Sequence, residues 1–549
     1  MALREELLGK LRVQSFDLLI VGGGIVGAGI ARDASMRGLK VALIEQGDFA
    51  SGASSKTSKL IHGGLRYLEH GHLRLVFESW RERQILRAIA PSFVHPVSFL
   101  LPIYAQDPRS RWKIGAGLWL YDLLARGGAM RGHRMVSARR ATRLEPALEL
   151  KGLRGAGLYT DCFMDDARVC LANILQAISF GAACCNYTRL LAFLKTEQRV
   201  CGGVAEDLRT GRSIEIQAKA VVNATGPWAD QVRRMSDRYT PKRLAPTKGI
   251  HLILPQLNRE ALFVQARRDG RMLFLLPWDG YTLVGTTESA VNVPLDSLRA
   301  TEEEVGSLLE EVNRVLPGSH IKEQDVVATF AGARPLVASS GSAASISREH
   351  RIEVDRWGVM SVMGGKYTTY RAMAKQAVDL LAEMHHWDID RCLTDQVSLL
   401  EAVHPVSLEQ WDAGRHLEET LLARLLTRYG AGAFSVLRAI HREPSLAQPL
   451  CPHHDYLAAE LVHAVREELA CTITDVMARR TRMAWSSCQG LDALSTIVEL
   501  FRRHGRYSKE ELQHQVGEYR QFLADGLAFR SGAQVREAVE SGAGVSDDE

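Results

Sequence analysis

Phe16-Asp-Leu-Leu-Ile-Val-Gly-Gly-Gly-Ile-Val-Gly27 decides the fold. Its first half is an almost unbroken apolar run that ends at three glycines, the pattern of a buried parallel strand. Ile25 to Arg37 is small and apolar enough for a closely packed helix, which Gly38 ends. Lys40-Val-Ala-Leu-Ile-Glu45 is the next strand, completing one βαβ unit. Gly22, Gly24 and Gly27 therefore fit G-x-G-x-x-G in the context it requires, with a strand before and a helix after. Gly22 makes the tight turn, Gly24 lets a pyrophosphate reach the backbone, and Gly27 lets helix and strand pack closely. Gly23 and Ile25 belong to the same phosphate loop, because a helix N-terminus favours anions. Glu45 ends the second strand, where it can accept hydrogen bonds from ribose hydroxyls.

NAD and FAD share this fingerprint, so the choice between them rests on three later segments. Ser51-Gly-Ala-Ser-Ser-Lys-Thr-Ser-Lys-Leu-Ile-His-Gly-Gly-Leu-Arg-Tyr-Leu68 follows the second strand and is rich in hydroxyls and glycine. It brings Ser58, Lys59, His62, Gly63 and Gly64 back toward the cofactor. Val221-Val-Asn-Ala-Thr-Gly-Pro-Trp228 is a strand ending in a small-residue turn, with Ala224, Thr225, Gly226 and Trp228 beneath the dinucleotide. Val362-Met-Gly-Gly-Lys-Tyr-Thr-Thr-Tyr370 sets Gly364, Gly365 and Thr368 before a helix, a second N-terminus for the flavin end.

These stretches, with Lys248-Gly-Ile-His251, Gly285-Thr-Thr-Glu288, Gly332-Ala-Arg-Pro-Leu336 and Gly364-Gly-Lys-Tyr-Thr-Thr-Tyr-Arg371, carry a family likeness. The chain resembles the FAD-dependent glycerol-3-phosphate dehydrogenases of the D-amino-acid-oxidase-like flavoproteins, particularly the aerobic respiratory type. The resemblance runs from about residue 15 to 390 and continues more weakly beyond. It implies oxidation of sn-glycerol 3-phosphate to dihydroxyacetone phosphate, with hydride passing from C2 to a non-covalent FAD and electrons passing to a quinone. A phosphate dianion needs guanidinium or ammonium groups. By resemblance, Arg66, Tyr67, Arg334 and Lys366 surround the substrate, and Arg348 is a further anion binder. The C2 hydroxyl must lose a proton, and His251 is the base the pattern favours, with His62 second. Glu288 departs from the Asp common after GTT, a methylene that moves the carboxylate by about 1.5 Å.

Composition bounds the rest. Of 549 residues, 68 are Lys or Arg and 64 are Asp or Glu, so a net charge of +4 points to no nucleic acid. Nine cysteines, an odd number without a CxxC pair, argue against a disulfide framework. Cys451-Pro-His-His454 lacks a second ligand cluster, so no metal is expected there. The uncharged stretch Val169 to Thr188 holds Asn173, Gln176, Asn186 and Thr188, which favour a buried helix and turn over a membrane span. The acidic, weakly apolar N-terminus suggests no secretory or transit signal.

The expected fold is α/β. A discontinuous Rossmann-like FAD-binding domain takes 14–90, 150–243 and 350–390. A β-rich substrate domain takes 91–149 and 244–349, a helical C-terminal domain 395–535, and a disordered tail 536–549. A quinone acceptor requires a lipid surface, so the protein is expected in the cytoplasm, attached peripherally to the inner face of the cell membrane. Lys113 to Leu124, with aromatic, apolar and basic residues, is a docking candidate, although the pattern favours a buried core helix. A homodimer is an assembly the sequence allows. The rival readings are an oxidase that passes electrons to oxygen, a glycine or sarcosine oxidase, which the cations at 66, 334 and 366 disfavour, and a non-catalytic flavin-binding scaffold.

Overall fold

The apolar run before the glycines is a strand in the computed structural model, which describes residues 2–64, 73–107, 110–124, 132–338, 350–399, 419–505 and 507–530. Helix α1 (Ala2–Val13) precedes β1 (Ser15–Val21), α2 (Ile25–Met36) and β2 (Val41–Ile44). Next come β3 (Leu60–Ile61), α3 (Leu73–Ile89), β4 (Val94–Tyr104), α4 (Arg111–Leu124), β5 (Arg134–Val136), α5 (Ala138–Leu144) and β6 (Leu153–Met164). Helix α6 (Asp166–Ser179) leads to β7 (Ala183–Cys185), β8 (Thr188–Lys195), β9 (Val200–Asp207), β10 (Arg212–Asn223) and α7 (Ala229–Ser236). The strand-rich stretch holds β11 (Thr247–Pro255), β12 (Ala261–Gln265), β13 (Met272–Trp278), β14 (Tyr281–Gly285) and β15 (Ser289–Ala290), then α8 (Glu302–Val315) and β16 (Ala328–Arg334). Strands β17 (His350–Val354) and β18 (Val359–Gly364) and helix α9 (Tyr370–His385) follow.

The first sheet runs β17-β18-β10-β1-β2-β7, with β8 and β9 beside β10. Strands β18, β10, β1, β2 and β7 are parallel neighbours, so their C-terminal ends share one edge. That edge is where open α/β sheets bind ligands. Leu18, Leu19, Ile20, Leu43 and Val222 are fully buried in this sheet. Helix α2 packs between α6 and α9, and Tyr370 lies against Gly29, where a Cβ would stand 2.8 Å from its ring.

The second sheet runs β15-β11-β14-β13-β12-β4-β6-β3, with β16 on β11 and β5 on β6. Strand β6 lies antiparallel to β4 from Val94↔Met164 to Tyr104↔Leu153, and β3 pairs with β6. Residues 153–164 and 60–61 thus pair within the second sheet. Long-range pairing decided this, and no local pattern in 91–160 announced it. Helix α8 opens with a capping box formed by Thr301 and Glu304.

Beyond residue 419 the described chain is helical: α10 (Glu419–Tyr429), α11 (Ala433–Arg442), α12 (Ala458–Arg466), α13 (Leu494–Gly505) and α14 (Lys509–Gly526). Val436, Leu461, Val465, Ile497 and Phe501 form its separate core. The expected tail at 536–549 lies outside the described residues. Among the described residues, no helix is long and apolar enough to cross a membrane; 166–179 is the buried helix α6.

Candidate active site

The phosphate loop sits at the shared edge of the first sheet. Gly22 has φ +111, and a Cβ there would stand 2.7 Å from Ala224 O. A Cβ on Gly27 would stand 1.9 Å from Gly22 O, so both glycines are required by the packing of the turn itself. Gly24 differs. Its Cβ would meet only Ser54 Oγ, at 3.1 Å, so space rather than protein lies over it. Gly24 caps α2 without a side-chain hydrogen bond, while Ile25 N donates to Ser54 Oγ at 2.9 Å. The helix N-terminus thus keeps a cradle that a pyrophosphate fits.

Glu45 accepts from Gly23 N at 2.7 Å and Gly47 N at 2.8 Å. Burial pushes its carboxyl above the usual 4.5, and these two donors pull back. Asp48, three residues on, is clamped by the C-terminal unit. Arg480 reaches it at 2.7 and 2.9 Å, and Arg479 at 2.6 Å. Burial alone would raise Asp48, but the two guanidiniums hold it down to about 2.

Thr225 Oγ1 donates to Asn223 Oδ1 at 2.7 Å, Gly226 has φ +54, and Trp228 lies over Gly52. Gly364 and Gly365 have φ +74 and +82, and Thr368 is buried in the short turn before α9. Trp228 Nε1 and His251 Nδ1 are among the buried polar atoms that have no hydrogen-bond partner in the described residues. Unsatisfied donors or acceptors of this kind are costly unless something else meets them. The open cradle at Gly24 and the orphaned indole both suit a bound dinucleotide.

The hydroxyl-rich loop joins this edge to the second sheet. Ser58 Oγ and His251 Nε2 share a hydrogen bond of 2.8 Å. The His251 ring stacks on Phe330 with centroids 4.9 Å apart. Burial first, then the charges of Arg334 and Lys59, hold its imidazole well below 6.5. These causes all favour the uncharged ring, whose Nε2 faces Ser58 Oγ. Lys59 itself is committed elsewhere: its Nζ meets the buried Asp166 Oδ1 at 2.6 Å and Ser55 O at 2.8 Å. Any cofactor contact of Lys59 therefore falls to its backbone, which has φ +56. His62 is half-buried, and Gly63 N donates to Asp161 Oδ1 at 3.1 Å. Gly64 has φ +81.

Arg334 ends β16, in register with Thr247 of β11. Its Nη2 donates to Thr286 Oγ1 at 2.9 Å and Thr287 O at 3.0 Å. A Cβ on Gly249 would stand 2.4 Å from that nitrogen, so the glycine makes the guanidinium's room. Lys366 Nζ lies 3.4 Å from Ser79 Oγ. Glu288 is exposed. Arg66, Tyr67 and Arg348 lie outside the described residues.

Sequence reasoning missed Ser54, Thr286 and Phe330, and it missed the Lys59–Asp166 pair. Ser54 and Lys59 stand in a segment singled out for its hydroxyls, but their partners are distant in the chain. The C-terminal unit, which showed no chemistry in sequence, braces the site through Arg479 and Arg480 on Asp48. It adds Arg482 on Asp165 at 2.8 Å and Arg168–Glu468 at 2.8 Å.

The FAD dependent oxidoreductase family matches residues 17–421, and the C-terminal domain of alpha-glycerophosphate oxidase matches 392–512. The glycerol-3-phosphate dehydrogenase of Synechocystis sp. is 36% identical over 538 residues, covering 94% of this chain and 97% of its own. The mitochondrial glycerol-3-phosphate dehydrogenase of Mesocricetus auratus is 35% identical over 558 residues, covering 96% and 75%. The FAD complex of glycerol-3-phosphate dehydrogenase from Bacillus halodurans superposes with a TM-score of 0.79 at 28% identity, covering 95% and 97%.

Proposed function

Since the chain belongs to the FAD-dependent oxidoreductases and, among them, to the glycerol-3-phosphate dehydrogenases, we propose that it hands the electrons of sn-glycerol 3-phosphate to a membrane quinone and releases dihydroxyacetone phosphate. The observation that supports the chemistry is a buried His251 hydrogen-bonded to Ser58 and close enough to Arg334 for that charge to lower its basicity. A departing hydroxyl proton needs the imidazole and a phosphate needs the guanidinium.

Bound FAD supplies the acceptor for the hydrogen and electron pair that leave C2. Gly22, Gly24, Ile25 and Glu45 would hold its pyrophosphate and ribose, and Ala224, Thr225, Gly226, Trp228, Gly364, Gly365 and Thr368 would complete its site. Arg334 binds the phosphate dianion with help from Lys366, and the family resemblance adds Arg66 and Tyr67 as substrate residues. His251 takes the hydroxyl proton at Nε2, where Ser58 Oγ now stands at 2.8 Å. A dianion arriving at Arg334 offsets one of the charges that depress His251, so the base strengthens as substrate binds.

A quinone resides in the bilayer, and the surface of α4 supports peripheral docking. Trp112 is 88% exposed and Trp119 58%, whereas Leu118 and Tyr121 of the same helix are buried. Phe77, on the neighbouring α3, is 52% exposed, and Arg111 and Lys113 are exposed beside Trp112. Aromatic and basic side chains together suit the water–lipid boundary. This helix is thus neither wholly core nor wholly surface. Aerobic turnover with and without a soluble quinone tests the acceptor. Quinone-dependent turnover with little peroxide supports the proposal; stoichiometric peroxide without quinone dependence makes the protein an oxidase.

A further inference from the structure

Cys451 and His454 show no second ligand cluster in sequence, yet the fold brings a third donor, Cys488, to them. They lie on the segment leading into α12, and Cys488 lies on the turn before α13. The two sulfurs and a ring nitrogen of His454 all lie within 4.8 Å of one another. Cys488 Sγ stands 3.5 Å from His454 Nε2. Tetrahedral zinc, with Zn–S of about 2.3 Å and Zn–N of about 2.0 Å, separates sulfur from nitrogen by about 3.5 Å and sulfur from sulfur by about 3.8 Å. Small rotamer changes bring all three donors to one ion. Cys451 is buried, His454 and Cys488 are half-buried, and Pro452, His453 and Ser487 are exposed, so an ion can enter from solvent. Two thiolates and an imidazole suit a borderline-soft divalent ion and do not suit magnesium or calcium.

We propose that Cys451, His454 and Cys488 form a zinc site, with water completing the tetrahedron. Ser486 Oγ, now 2.8 Å from His454 Nε2, turns away as that nitrogen takes the ion and keeps its bond to Met483 O at 2.8 Å. Each thiol gives up its proton to solvent as its sulfur binds, so one divalent ion releases two protons and the site stays neutral. The turn that carries Cys488 is also where the helical unit leans on the second sheet. Ser487 N donates to Tyr281 Oη at 2.8 Å, and Gln489 Nε2 donates to Val327 O at 3.1 Å. The ion therefore clips two loops of the C-terminal unit at that junction.

The test titrates the flavin-loaded protein, purified with chelator, with Co²⁺ and then Zn²⁺. One Co²⁺ per chain, a thiolate-to-cobalt charge-transfer band and its bleaching by Zn²⁺ are expected. C451S and C488S should each lose the band, whereas C201S and C392S should keep it. A band absent from the parent, or surviving in both C451S and C488S, overturns the site. Should those variants fold poorly, alkylation of the parent decides: Zn²⁺ should protect Cys451 and Cys488 at least tenfold over Cys201. No protection, or a Cys451–Cys488 disulfide formed in place of metal binding, overturns it.

Discussion

Arg334→Ala removes one group with two jobs, and each has its own readout. A charge-assisted hydrogen bond to a phosphate is worth about 1.5–3 kcal/mol. At about 1.4 kcal/mol per decade, KM for glycerol 3-phosphate should rise by about 10- to 150-fold. The second effect acts on His251. Burial is the largest cause of its depressed basicity, followed by Arg334 and then Lys59. Removing Arg334 lifts one charge, so the imidazole pKa rises. A base must be neutral to act, so kcat/KM falls below that pKa and its acid limb should move to higher pH. Gly249→Ala separates the two effects. A Cβ 2.4 Å from Arg334 Nη2 displaces the guanidinium but keeps its charge nearby. That variant should raise KM with a smaller movement of the limb. Steady-state rates with a dye acceptor across pH 5.5–8.5, at matched flavin content, measure both effects. A KM within about twofold of the parent and an unmoved limb in Arg334→Ala would refute the assignment.

Gly24→Val should purify folded but colourless, since Ser54 Oγ is the protein atom its Cβ meets, whereas Gly27→Ala should lose soluble protein because its Cβ meets Gly22 O at 1.9 Å; flavin absorbance per folded chain distinguishes them. His251→Ala should lower kcat by about 10²-fold or more, and a near-normal kcat would move the proton transfer to His62 or another group. Lys59→Met leaves the buried Asp166 carboxylate with the hydrogen bonds of Thr57 and Ala167 but without its cation, a loss of about 3–5 kcal/mol that should appear as a lower midpoint of thermal inactivation. Trp112→Ser with Trp119→Ser should shift the protein toward the soluble fraction in flotation with anionic vesicles, with dye-linked activity retained; unchanged flotation would exclude α4 as the docking helix.

The first βαβ unit was legible because its signals are local: an apolar run, three glycines and an acid one strand later. Strand β1, helix α2 and strand β2 fall within a residue or two of their expected bounds. The placement of β6 was hidden, because only its pairing with β4 assigns it to the second sheet. In the site, motif context picked out Arg334 and His251, but the means of holding them came from afar. Ser58 reaches His251 across 193 positions, and Lys59 reaches Asp166 across 107. Cys488 escaped notice for the same reason, as a single cysteine distant from its partners. The part played by the C-terminal helices was unreadable because Arg479 and Arg480 look like surface charge until Asp48 is seen between them.

Anaerobic addition of glycerol 3-phosphate to the purified yellow protein tests the central claim most directly. The flavin absorbance should bleach within one turnover, with an equivalent of dihydroxyacetone phosphate formed per flavin and no bleaching by glycine or sarcosine. An oxidised spectrum that persists at millimolar glycerol 3-phosphate would contradict the account.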